Sequence, residues 1–123
     1  MNELKLDNLK IDVSSAENDV ALVAIDGEIT FDNAAQLRDS IDKICDKGIC
    51  NIVIDLKDLK YMSSAGLGVL VHGLKNTRNK GGDLRVVNLN GKMKRVFVIT
   101  QFTHHFKVYD TLEQAIASFA KTE

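Results

Sequence analysis

The chain has 123 residues and a mass of 13.6 kDa, enough for one domain with a real core, since a chain of this size buries roughly two-thirds of its unfolded surface. Hydrophobic residues at 45% and charged residues at 27% exclude a disordered chain. With 16 Lys and Arg against 17 Asp and Glu, the formal net charge is −1, without the basic footprint of a nucleic-acid binder or the polybasic runs that hold proteins to anionic membranes. No apolar run approaches the ~18 residues of a spanning helix. Met1-Asn2-Glu3-Leu4-Lys5 lacks the charged and apolar regions of a secretory signal, so a cytoplasmic location is expected. Cys45 and Cys50 are too few for a disulfide scaffold and have no second ligand pair for zinc; they read as reduced, partly buried thiols. Without Pro or Trp, turns fall to Gly, Asn and Asp.

Leu9, Ile11 and Val13 alternate with Lys10, Asp12 and Ser14, which predicts a half-buried strand. A polar turn over Ser14 to Asn18 leads to a second strand, Val20 to Ile25, ended by Asp26-Gly27; the short turn implies an antiparallel hairpin. Ala34, Leu37, Ile41 and Ile44 fall at helical spacing, with Asn33 and Gln36 resembling a capping box and Gly48 a stop. Ile52-Val53-Ile54, with Leu56, is the near-continuous apolar run of a buried parallel strand. A loop leads to a helix carrying Leu67, Leu70, Val71 and Leu74, closed by Gly81-Gly82. Leu84 to Leu89 is the next strand. Asn90 starts a helix with Met93, Val96 and Phe97 on its core side, Lys107-Val108-Tyr109 is a short strand, and Thr111 caps a last helix bearing Leu112, Ala115, Ile116 and Phe119. The order predicts an α/β fold: a mixed sheet of four to five strands with about four helices packed on it. Residues 1–123 read as one domain, with an extended segment over residues 1–8.

The most informative stretch runs from Asp55 to Gly68. A buried strand ends near Leu56, and two serines, Ser63 and Ser64, then stand at the start of a helix whose first turn holds Ala65, Gly66 and Gly68. A helix start offers unpaired N–H groups and a partial positive charge, and small residues allow close approach of another backbone or a phosphate. A serine just before a helix is commonly only an N-cap; Ser63 can cap while Ser64 does something else.

Tyr61-Met62-Ser63-Ser64-Ala65-Gly66-Leu67-Gly68, after the strand Ile52 to Leu56, resembles the signature of the STAS family, and specifically of stand-alone bacterial anti-sigma factor antagonists. Ile25-Asp26-Gly27-Glu28-Ile29 is similar to that family's Gly-Glu-Leu-Asp turn, and the likeness extends from about Leu9 through Gly81-Gly82-Asp83-Leu84 and the helix from Asn90. The resemblance implies a STAS-like fold and a regulatory protein that is not an enzyme and takes no cofactor. It implies binding to an anti-sigma factor that is also a serine kinase, release on phosphorylation of Ser64, control of sigma factor availability and so of transcription, and resetting by a serine phosphatase. The contact surface it implies comprises Gly27, Glu28, Thr30, Phe31 and Asn33, together with Ser63, Ala65, Gly66 and Leu67. Ser63 stands where sporulation-type members carry Asp, Ala65 where they carry a second Ser or Thr, and Thr30 where the turn has its Asp. A STAS module serving a non-sigma partner, in signalling or lipid transport, is the alternative.

Such a switch is physically economical. Phosphoserine adds about −1.5 to −2 charges at neutral pH, and a helix N-terminus tolerates it or gains ~0.3–1 kcal/mol. Desolvating an unpaired dianion in an interface shaped for a hydroxyl costs at least several kcal/mol, and each ~1.4 kcal/mol is tenfold in affinity. Other residues point to less. His72 lies one residue past the apolar stripe of its helix, and His104-His105 lack the Cys, Asp or Glu that would complete a metal site. Asp55 and Asp58 read as solvated loop carboxylates. A receiver-like domain phosphorylated on Asp55 fails for want of an acidic pair after the first parallel strand and a Lys after the last. Ser63-Ser64-Ala65-Gly66 is no nucleophile elbow, and Gly66 and Gly68 lack the third glycine of a dinucleotide loop. Lys92, Lys94 and Arg95 form a solvated helix face.

Overall fold

The computed structural model describes residues 8–120, so all but the last position of the expected N-terminal segment lies outside the described residues. Strands β1 (Leu9–Ala16) and β2 (Val20–Ile29) form the expected hairpin, in register from Leu9 opposite Gly27 to Ala16 opposite Val20. The turn is shorter than its polar sequence suggested: β1 continues through Ser14 and Ser15, and only Glu17–Asp19 leave the ladder, as one 3-10 turn. Helix α1 (Ala34–Asp46) and strand β3 (Asn51–Asp55) follow, then β4 (Leu59–Met62), α2 (Ser64–Asn79), β5 (Asp83–Val87), α3 (Gly91–Ile99), β6 (Val108–Tyr109) and α4 (Leu112–Ala117).

Among the described residues, the sheet has six strands in the order β1-β2-β3-β5-β6, with β4 added along β2. All pairings after the hairpin are parallel. Strand β2 is longer than its sequence implied. Its first half pairs with β3 through Val20 to Ala24, and its end, from Gly27 to Ile29, pairs with β4. Gly27 does not end the strand. It holds φ +110°, and a Cβ there would lie 1.7 Å from the Asn8 carbonyl oxygen, so only glycine lets the chain pass. Beside it the register slips: Gly27 faces Leu59 but Glu28 faces Tyr61, which leaves Lys60 as the extra residue of a bulge.

Alternation along the strands separates two cores. Ile52 and Ile54 join the larger one, which also takes Leu37 and Ile41 of α1, Leu70 and Leu74 of α2, and Met93 and Phe97 of α3. Val53 points the other way, with Val20 and Val87, onto Ala115 of α4. Cys45 is buried in the larger core and its thiol is free; burial, then the neighbouring Cys50, pushes its pKa up to about 11. It therefore stays protonated at neutral pH. Asp83 at the start of β5 accepts from Arg78 Nε at 2.8 Å and Arg85 Nε at 2.9 Å, and Arg85 also donates to Ser118 Oγ at 2.6 Å and lies 3.9 Å above the Phe119 ring. This arrangement ties the end of α2 to α4 across β5.

The helix starts divide into two kinds. Ser63, Asn90 and Thr111 act as side-chain caps, accepting from the N–H groups of Gly66, Met93 and Gln114. Asn33 does not, although it precedes α1 as expected. Its side-chain oxygen accepts from Thr30 N at 2.7 Å and its amide donates to the Glu28 carbonyl at 3.0 Å, so it closes the preceding turn instead. Pairing with these two backbone groups occupies both ends of the Asn33 amide, so it caps no helix N–H.

Candidate functional site

The two stretches singled out in the sequence meet at one end of β2. Ser63 N donates to the Ile29 carbonyl at 2.8 Å, directly after the β2–β4 pairing that sets Ile29 beside Met62. The entrance of α1, Thr30 to Asn33, follows from the last residue of β2; the entrance of α2 follows from the last residue of β4. Gly66 lies against this join. A Cβ there would stand 2.6 Å from both Ile29 Cγ2 and Met62 Cγ, so the glycine serves a close internal approach of α2 to the sheet rather than space for a ligand.

The residues at this end fall into two layers. Gly27, Asn33, Ser63 and Gly66 are buried and shape the surface from beneath. Glu28, Thr30, Ala65 and Leu67 are half-buried, while Phe31 and Ser64 face solvent. Ser63 is 4% exposed, and its hydroxyl accepts from Gly66 N at 3.3 Å. Ser64, the first residue of α2, is exposed. The adjacent serines thus have different work: one hydroxyl is spent on the helix end and the other is accessible at it. Thr30 Oγ1 is occupied within its own turn, accepting from Asp32 N at 3.2 Å and Asn33 N at 3.3 Å. Phe31 is 75% exposed, an apolar ring held out on a short turn.

Tyr61 was not legible as part of this surface. It lies opposite Glu28 and is 52% exposed, although Leu59, two positions earlier on the same strand, is buried. The extra residue at Lys60 breaks the alternation and turns Tyr61 outward. A reading of this segment as a loop had no means of finding it.

The weaker candidates acquire ordinary structural roles. Asp55 Oδ1 accepts from Lys57 N at 3.0 Å and Asn88 Nδ2 at 3.0 Å, fastening the loop after β3 to the end of β5. His72 Nε2 lies 3.0 Å from Asp42 Oδ1, which Asn76 Nδ2 also reaches at 3.2 Å, a polar bridge between α1 and α2. His104 and His105 are exposed at the 3-10 turn Phe102–His104, and Lys92, Lys94 and Arg95 are exposed on α3. Among the described residues, no helix is long and apolar enough to cross a membrane.

This architecture has known relatives. The chain is 40% identical over 93 residues to the anti-sigma-B factor antagonist of Bacillus subtilis, covering 76% of this chain and 84% of that protein. It superposes on the crystal structure of a Thermotoga maritima protein with a TM-score of 0.84 at 28% identity, covering 90% of this chain and 95% of that one. The phosphorylated form of the Bacillus cell-fate determinant SpoIIAA shares the fold, with a TM-score of 0.72 at 19% identity over 90% of this chain and all of that one. Residues 11–115, containing both helix entrances, match the STAS domain model, and the chain belongs to the STAS domain family.

Proposed function

We propose that this protein is an anti-sigma factor antagonist whose unphosphorylated form binds an anti-sigma factor serine kinase and whose release follows phosphorylation of Ser64. The observation that carries this reading is the division of labour between Ser63 and Ser64: the cap hydroxyl is buried, and the next hydroxyl is exposed at the N-terminus of a 16-residue helix. The curated relative's role as an anti-sigma-B factor antagonist supports the choice of partner. The kinase contributes ATP and catalysis, this chain contributes the acceptor oxygen, and a serine phosphatase restores the hydroxyl.

The proposed surface places Phe31, Glu28, Thr30, Ala65 and Leu67 around Ser64, with Gly27, Asn33, Ser63 and Gly66 holding them from below. A phosphate on Ser64 lies at the positive end of α2, where the isolated fold tolerates it. In a docked interface the same dianion has to be stripped of water opposite a surface built for a hydroxyl, and that cost falls on the complex alone. Partner release without unfolding is the result.

The test is a titration of the cognate kinase with wild-type protein, Ser64→Ala and Ser64→Asp, beside mass spectrometry of the wild-type protein after incubation with kinase and ATP. Wild-type and Ser64→Ala proteins should bind alike, Ser64→Asp at least about 100-fold more weakly, and acid-stable phosphate should map to Ser64. Equal affinities for the Ala and Asp variants would end the proposal. A partner that is no kinase and does not distinguish the variants would favour a STAS module in a signalling or lipid-transport complex.

A further inference from the structure

A second feature stands apart from the Ser64 surface and owes nothing to it. We propose that the cavity between the second half of α2 and the turn after α3 binds a small amphipathic anion, of the class of medium-chain carboxylates. Its volume is about 590 Å³, within the ~300–1,000 Å³ of small-molecule sites. Val71 and Leu74 of α2 line one wall, and Phe102 and Phe106 line the other. The phenylalanine wall is fixed: the Phe102 ring centroid lies 5.4 Å from that of fully buried Phe97 and 5.2 Å from that of Phe106.

Among the described residues, the charged side chains lining this cavity, beside polar Asn79, Thr100 and His105, have one sign. Lys75 and Arg78 stand among the lining residues, and no carboxylate does. Arg78 is held in place, donating from Nε to Asp83 at 2.8 Å and from Nη2 to the His105 carbonyl at 2.9 Å. These bonds use two of the five N–H donors of the guanidinium. Nor does Asp83 cancel its charge, because the same carboxylate also serves Arg85 at 2.9 Å, so the trio keeps one positive charge in excess. An apolar tail fits the phenylalanine and leucine walls, and a single carboxylate at Lys75 and Arg78 completes the match. A highly charged ligand such as a nucleotide finds too few cations here and too much hydrocarbon.

The experiment is an NMR titration of the 15N-labelled chain with decanoate below its micellar range, with decanol as the neutral counterpart and Lys75→Glu as the variant. Lys75 is solvent-exposed, and circular dichroism of the variant checks its fold. Saturable shifts are expected at the amides of Leu74, Arg78, Phe102 and Phe106, with binding about fivefold weaker in Lys75→Glu and weaker again for decanol. Shifts that do not saturate, shifts centred on the exposed Val98 and Ile99, undiminished binding by Lys75→Glu, or equal binding of decanol would each overturn the proposal.

Discussion

The entrances of α1 and α2 lie side by side, and each begins with a buried polar residue, Asn33 at 3% exposure and Ser63 at 4%. They use it differently. Asn33 turns back and closes the turn behind it, so the α1 entrance is a rigid bracket that carries an exposed aromatic ring, Phe31. Ser63 turns forward and caps the helix ahead, leaving the next hydroxyl outside. On the proposed reading, one entrance holds a hydrophobic contact and the other presents a modifiable oxygen. Recognition and regulation can therefore occupy one surface without sharing a side chain.

Substitutions at four positions sharpen or break this contrast. The largest effect is expected from Gly66→Val, which drives a side chain into Ile29 and Met62 beneath both entrances; urea denaturation should show a loss of about 2–3 kcal/mol. If stability is unchanged, the two entrances are not braced through this contact. Phe31→Ala should leave stability within about 0.5 kcal/mol and weaken kinase binding by about 2 kcal/mol in calorimetry, whereas unaltered affinity would remove the α1 entrance from the interface. Asn33→Ala unpairs Thr30 N and the Glu28 carbonyl, and should lower stability by about 1–2 kcal/mol. Its thermal melt, compared with that of Asn33→Ser, separates a turn bracket from a helix cap: serine rescues only a cap. The smallest effect belongs to Ser63. Ser63→Ala, which removes the bond to Gly66 N, should cost about 1 kcal/mol in urea denaturation.

Much of this was written in local sequence. The hairpin, the buried run of β3, the apolar stripes of α1 and α2 and the caps at Ser63, Asn90 and Thr111 each follow from short-range rules, and so does the separation of Ser63 from Ser64. The failures share a cause, which is that distant backbone decided the outcome. Gly27 looks like a strand terminator until Asn8 and β4 close around it. Lys57 to Met62 has little apolar periodicity, because the bulge at Lys60 scrambles it, so neither β4 nor the outward turn of Tyr61 is visible locally. Asn33 and Gln36 have the spacing of a capping box, but two backbone groups across the turn claim the asparagine first. The cavity behind α2 has walls from residues 71–79 and 100–106, which no single window contains.

The bond from Ser63 N to the Ile29 carbonyl has one more implication. It fastens the start of α2 to the last residue of β2, so Ser64 sits next to an anchor and not on a hinge. On the proposed reading, adding phosphate writes a label on a stiff plate. The message has no moving part within this molecule, and the decision to let go is made by whatever reads the label.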